Sequence, residues 1–405
     1  NGLGDGLRLL TSRDARSWQP LDGEPLLLRT EDTGGRVFRD PSAVLVDGVF
    51  HLVFTSDLCV GQKPRFWRCE QLPLAQRPRP RFGYATSRDL LTWESVRLIE
   101  VPLHAACSIW APEIAALPAD EGGGFMVFFS ATQVKGKCPA NFKATRHRSW
   151  FVTSRDMRTF SAPRRLLTSV SDSVIDLFPV FDVASSPAAA AELGAATTGG
   201  SIARRRHVLL YKSEHNVCER HEWSVGQAPR AERSQCTLVL RIATAANASG
   251  PWEPDAGAEG TFFDQGSISR PCAEGPAAVR LPSGEWLVYF DGYRTDCPLR
   301  APPPCGLIAG RRVQDFGLQD AALGLDGGAA ASADCSYAPR RKGLGAISSR
   351  DLRRWEDVTS TIRIPDDYKH GTVVPLGSST LRALCSGGRA AANASICTRR
   401  GARAA

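Results

Sequence analysis

A short polar turn with an aromatic residue at a fixed offset recurs along this chain and sets the period of everything between. TSRDARSW at residues 11–18 returns as TSRDLLTW at 86–93, TSRDMRTF at 153–160 and SSRDLRRW at 348–355. A worn copy, TAANASGPW, lies at 244–252. In each, a β-prone run precedes the polar cluster and an aromatic opens the next run. Ser, Asp and Asn suit such a place because their side chains hydrogen-bond their own backbone in turns. Between the copies lie hairpins headed by a polar residue. The first is FRDPSAVLVDGVFHLVFT at 38–55, where Asp47-Gly48 between two β-prone runs is a strong hairpin signal. Others start at Trp110-Ala-Pro-Glu113, Asp176-Leu-Phe-Pro179, Glu274-Gly-Pro276 and His370-Gly-Thr.

Two hairpins per period make a four-stranded meander, and five periods predict an all-β fold, a five-bladed β-propeller. The chain starts with a late hairpin (7–28) and ends with an early one (370–386). The ring is therefore expected to close by the N-terminal hairpin joining the last blade. No stretch sustains helical periodicity, and Ala-rich 188–196 is expected to be a loop. Residues 1–387 form the expected catalytic propeller, and 388–405 an Ala/Arg-rich tail expected to be disordered.

Composition narrows the function. A length of 405 residues admits two ordinary domains or one repeat-built domain. No run approaches the roughly 18 apolar residues of a membrane helix. The net charge of +8 comes partly from local Arg clusters without interleaved aromatics, which argues against nucleic acid as a partner. Twelve cysteines include local pairs (Cys59/Cys69, Cys218/Cys236, Cys297/Cys305, Cys385/Cys397), none at CxxC spacing. With the sequons at Asn247 and Asn393 they point to disulfides and a secreted or lumenal, glycosylated protein, against the blander reading of buried reduced thiols. Any signal peptide would precede Asn1. A monomer is expected.

In an up-and-down blade, the innermost strands all start on one face. Asp40, Asp176, Glu274 and His370 head such strands and are expected near the axis. The insertions at 57–82, 133–148, 214–235 and 294–342 should wall the same mouth, and 184–206 the opposite face. Carboxylates from three blades over an axial pocket suit glycosidic bond cleavage, in which one acid protonates the leaving oxygen and another carboxylate works across the sugar. Glu274, on its longer stem beside Gly275, fits the general acid. Asp40 fits a base that activates water, and Asp176 could raise the acid's pKa by like-charge proximity. Each acid alone could equally be a loop-bonding carboxylate; their shared position is what points to catalysis.

The segments FRDPSAV, WAPE, VIDLFPV, EGPAAV and KHGTVV, in this order, resemble glycoside hydrolase family 43, the five-bladed arabinosidases and xylosidases. The resemblance spans residues 7–376. It implies an inverting hydrolase of oligo- or polysaccharides, with Asp40 as general base, Asp176 as pKa modulator and Glu274 as general acid. It further implies a substrate subsite shaped by Trp110 and Glu113, with Arg39 beside the base, and His370 near the axis as a substrate or metal residue. The metal would be a hydrated calcium or similar ion; the chemistry itself requires no cofactor. The loop insertions leave the sugar open. A retaining fructan or invertase-type hydrolase is disfavoured by Arg39-Asp40-Pro41-Ser42, which lacks that group's flanking asparagines. A non-catalytic carbohydrate-binding propeller and a transglycosidase remain as alternatives.

Overall fold

The Asp14 carboxylate accepts hydrogen bonds from the amides of Arg16 and Ser17 at 2.8 and 2.7 Å. Asp89 does the same for Leu91 and Thr92 (2.9 and 2.7 Å), and Asp156 for Arg158 and Thr159 (2.8 and 2.9 Å). Asp351 repeats it with Arg353 and Arg354, both at 2.8 Å. The serine two residues earlier donates its Oγ to the same carboxylate in all four copies. Directly after each aspartate the backbone turns left-handed, at Ala15, Leu90, Met157 and Leu352, with φ of 56, 64, 56 and 57°. Side chains disfavour that conformation. The two amides gathered by one carboxylate offset its cost, which is why the motif keeps Ser and Asp while the residue at the bend varies.

The computed structural model describes residues 6–21, 25–56, 79–103, 106–133, 147–171, 173–181, 207–214, 238–255, 259–260, 268, 273–292, 343–365, 368 and 370–378. Strands β1 (Gly6–Leu7), β2 (Leu10–Thr11), β3 (Gln19–Pro20) and β4 (Leu28–Arg29) form two small sheets, β1 with β4 and β2 with β3. The first four-stranded meander is β5 (Arg39–Val46), β6 (Val49–Thr55), β7 (Arg81–Ser87) and β8 (Glu94–Glu100). The second is β9 (Ala106–Ala116), β10 (Phe125–Gln133), β11 (His147–Ser154) and β12 (Arg164–Arg165). The third is β13 (Val174–Val180), β14 (His207–Glu214), β15 (Leu238–Ala245) and β16 (Glu253–Pro254). After β17 (Glu259–Gly260) come β18 (Ala273–Arg280), β19 (Trp286–Gly292), β20 (Gly343–Ser349) and β21 (Arg354–Asp357). In that last sheet β17 adds a fifth strand parallel to β21. Four of the recurring turns join third to fourth strands, and the turn at Asp14 joins β2 to β3.

The chain divides into two compact units. The first comprises Asn1–Leu166, Arg363–Pro365 and Gly371–Ala405, the second Leu167–Ile362 and Asp366–His370. In the first, Val53, Phe82, Ile109, Val127 and Phe129 pack the space between the two meanders. A second cluster holds Phe38 stacked on Phe54 at 4.4 Å between ring centroids. Phe54 faces Gly83 across the ladder, and a Cβ on Gly83 would fall 2.0 Å from the ring. In the second unit Phe178, Leu210, Val288, Phe290, Ile347 and Trp355 make the core. Fully burying a side chain of this size contributes about 1.5–3 kcal/mol.

The architecture is all-β and of propeller type, with four blades among the described residues where the sequence predicts five. Residues 371–378 carry no strand. Pro375 lacks an amide to donate to a ladder, and Val374 and Leu376 instead pack with Leu9 on Phe50 and Leu90 of the first blade. The N-terminal hairpin meets residue 363, through a parallel bridge Ser17–Arg363 and a hydrogen bond from the Trp18 amide to the Arg363 carbonyl at 2.8 Å. The rest of the expected last hairpin, the tail, most of the long insertions and every cysteine but Cys107 lie outside the described residues. Among the described residues no helix is long and apolar enough to cross a membrane.

Candidate active site

Each blade's innermost strand carries a one-residue bulge, near its start on β5, β13 and β18 and mid-strand on β9. The ladder slips between Arg39 and Ser42 on β5, Trp110 and Glu113 on β9, Ile175 and Leu177 on β13, and Glu274 and Ala277 on β18. At every bulge one residue turns left-handed: Asp40 (φ 52°), Ala111 (43°), Asp176 (56°) and Gly275 (62°). His370 takes the same conformation, φ 42°. Non-glycine residues bear such backbone only where the surroundings enforce it, commonly at functional sites. Asp40 and Asp176 are therefore equivalent. Glu274 is not: it stands one residue before the equivalent position, which Gly275 fills. Asp40, Arg39, Trp110 and Glu113 belong to the first unit and Asp176, Glu274 and His370 to the second.

In the second unit the geometry centres on Lys212 of β14, directly opposite Ile175. Its Nζ lies 3.0 Å from Glu274 Oε2, 3.3 Å from Asp176 Oδ2 and 3.5 Å from Glu214 Oε1. Glu214 in turn accepts a 2.6 Å hydrogen bond from Ser173 Oγ. The Lys212 side chain is 6% exposed, that of Asp176 5% and that of Glu274 14%. A buried ammonium is costly unless paired, and here three carboxylates surround it. Asp176 Oδ2 also accepts from the Gly275 amide at 3.1 Å. Glu274 sits opposite Asp291 on β19, and Asp291 Oδ1 accepts from the His370 amide at 2.9 Å. Gly275 passes so close to the His370 imidazole that a Cβ would fall 2.9 Å from the ring. The structure thus brings together Asp176, Glu274 and His370. It adds Lys212, Glu214 and Asp291, which the sequence reading missed; the one available signal for Lys212 was a lysine inside the apolar run of β14.

In the first unit the Asp40 carboxylate is buried and accepts from Thr55 Oγ1 at 2.9 Å. That hydroxyl itself accepts the Ala111 amide at 2.8 Å, so the bulges of β5 and β9 share one threonine. Arg39 Nε stands 3.9 Å from Asp40 Oδ1. Ser42 Oγ accepts the Ile114 amide at 3.1 Å. Glu113 as a whole residue is only partly buried, but its carboxyl is enclosed. Burial pushes that carboxyl well above the usual range, with only a hydrogen bond from Ser42 favouring the charged form. Trp110 is buried, its ring edge-on to His147 with centroids 5.8 Å apart.

Among the described residues no group of three or more His, Cys, Asp or Glu is arranged to hold a metal ion. The described residues around His370 do not by themselves make a protein-built calcium cage. Chemically, the second unit offers a glutamate and an aspartate held on one cation, and the first a buried aspartate at the equivalent bulge.

Residues 2–182 match the family model of a probable glycosyl hydrolase domain, of the glycosyl hydrolase 43-related kind. No curated protein matches. Among solved structures the chain is similar to a thermostable family-43 glycoside hydrolase, with 14% identity, a TM-score of 0.40 and coverage of 80% of this chain and 72% of that one. It is similar also to the α-L-arabinofuranosidase PaAbf62A from Podospora anserina (10%, TM-score 0.40, coverage 93% and 81%). A third is the endo-arabinase from Bacteroides thetaiotaomicron (12%, TM-score 0.40, coverage 82% and 81%). Likeness at this level carries no argument, and the family-model match covers residues 2–182 of the 405.

Proposed function

We propose that this chain, a glycoside hydrolase of the family-43-related kind by its match over residues 2–182, cleaves arabinofuranosyl- or xylosyl-type glycans with inversion. Glu274 is the general acid that protonates the leaving oxygen. Asp40 is the base that activates water, and Asp176 holds and tunes the acid. The observation that carries this reading is the pairing of Glu274 and Asp176 on one buried cation, 3.0 and 3.3 Å from Lys212 Nζ. Asp40 is read as the base because it occupies the same bulge position in its blade as Asp176 does in its own, with the same left-handed backbone. Trp110, Glu113, Arg39 and His370 are read as shaping the sugar subsite. A hydrated calcium beside His370 would be held mainly through its own water.

The ring is read as closed by a fifth blade in which both chain ends take part, a reading supported by Leu9, Val374 and Leu376 sharing one cluster. A secreted or lumenal, glycosylated protein, which we read as a monomer, has support for its address in Cys107, which is disulfide-bonded, and in the exposed sequon Asn247.

The test uses benzyl α-L-arabinofuranoside and benzyl β-D-xyloside, whose alkoxide leaving groups need a proton. The parent protein releases benzyl alcohol from at least one. Glu274→Gln is about 10²–10⁴-fold slower, the usual contribution of a general acid. Equal rates in both proteins, or no release by the parent, would contradict the proposal.

A further inference from the structure

We propose that Lys212 is a positioning residue that holds the Glu274 and Asp176 carboxylates in one arrangement and sets the upper pH limit of turnover. This rests on the reading of Glu274 as the acid. The bulge on β13 puts Asp176 beside the residue paired with Lys212, and the Gly275 amide bonds the same Asp176 oxygen that Lys212 does. Glu274 and Gly275, adjacent in the chain, are thus both tied to Asp176, one through the ammonium and one directly. A glutamate with three rotatable bonds loses its freedom there without any help from substrate.

The charges around Glu274 decide the direction of the effect. Lys212 and Glu214 come from β14, Asp176 from β13 and Asp291 from β19, with the His370 ring against Gly275. The same packed strands also carry His207, Tyr211 and Arg241. A cation at 3.0 Å favours the ionised carboxylate, whereas the neighbouring carboxylates favour the protonated acid. Lys212 therefore limits how far those anions raise proton affinity at Glu274. It keeps the acid able to give its proton up and to take another from solvent after each turnover. Glu214, bound to Ser173, competes for the same ammonium and moderates it.

The experiment follows the Glu274 carboxyl directly, by ¹³C NMR titration of protein labelled at glutamate Cδ, the signal being assigned by its loss in Glu274→Gln. Lys212→Met is expected to move the Glu274 midpoint up by about one to three pH units. Lys212→Arg keeps it near the parent value, and Glu214→Gln moves it down because Lys212 is then shared by fewer anions. On the benzyl glycosides the alkaline limb of kcat/KM moves with the NMR midpoint in each variant. A midpoint unchanged in Lys212→Met overturns the proposal. If that variant does not fold, an unchanged midpoint in Glu214→Gln overturns it instead. The titration needs no turnover, so a protein inactive on every glycoside whose midpoints still shift as stated would sink the hydrolase reading while leaving the charge-setting role of Lys212 standing.

Discussion

The amide of Gly275 donates to Asp176 Oδ2 at 3.1 Å, joining the bulge of one innermost strand to the bulge of the next across 99 residues of chain. Two irregularities that would each weaken a ladder alone here complete one another. Asp176→Ala removes the acceptor and leaves a buried amide unpaired, a loss of about 1–3 kcal/mol. Asp176→Asn retains an oxygen for that amide and loses less. Urea denaturation of the two variants should rank them in that order, while both lose turnover.

Gly275 has φ of 62° and no room for a side chain, since a Cβ would meet the His370 ring at 2.9 Å. Gly275→Ala should destabilise by about 1–3 kcal/mol, the scale of a residue held in disfavoured backbone. Part of that arises from the ring. The double variant with His370→Ala should therefore be more stable than the sum of the single effects implies. Strict additivity in denaturation would mean that the backbone alone is responsible.

Gly83 accepts the Phe54 ring over its backbone, the space of a Cβ lying 2.0 Å from ring carbon. Gly83→Ala forces Phe54 out of its stack on Phe38 and should cost about 1–3 kcal/mol, the usual range for overpacking a core. Near-UV circular dichroism and the melting temperature report it together.

Two of the recurring turns predict a pH dependence. Backbone amides bring the Asp14 and Asp156 carboxyls down to about 2. A depressed carboxyl lends stability above its unfolded pKa and loses it as pH falls toward the folded value. Stability should thus decline between about pH 4 and pH 2, and the decline should be shallower in Asp14→Asn and Asp156→Asn. Glu113 has the opposite sign, because burial raises its carboxyl. It costs stability as pH rises above its unfolded value, so Glu113→Gln should be more stable than the parent at pH 8 and nearly equal at pH 4. Denaturation midpoints across that range check both.

The turns were legible in the sequence because their bonds are local: Asp14 reaches amides two and three residues ahead. Three of the four innermost strands were legible because the bulge shows as a polar or small residue next to proline or glycine, as in Arg39-Asp40-Pro41, Ala111-Pro112 and Glu274-Gly275-Pro276. Asp176, by contrast, stands between Ile175 and Leu177 and shows only as an acid inside an apolar run. The offset of Glu274 from Asp40 and Asp176 was not. It depends on which residue takes the left-handed backbone, and Gly275 does so more readily than its neighbour. Lys212 was hidden because its partner Glu274 is 62 residues away and reaches it only through sheet pairing. The packing of Leu9 with Val374 and Leu376 depends on contacts between distant parts of the chain that no local signal encodes.

The central claim is that Glu274 and Asp40 act as acid and base in a single displacement by water. Proton NMR of the sugar released in the first turnovers tests it most directly, before mutarotation mixes the anomers. The account predicts that the first-formed sugar has the anomeric configuration opposite to that of the glycoside cleaved. First release of the same anomer as the substrate would contradict it.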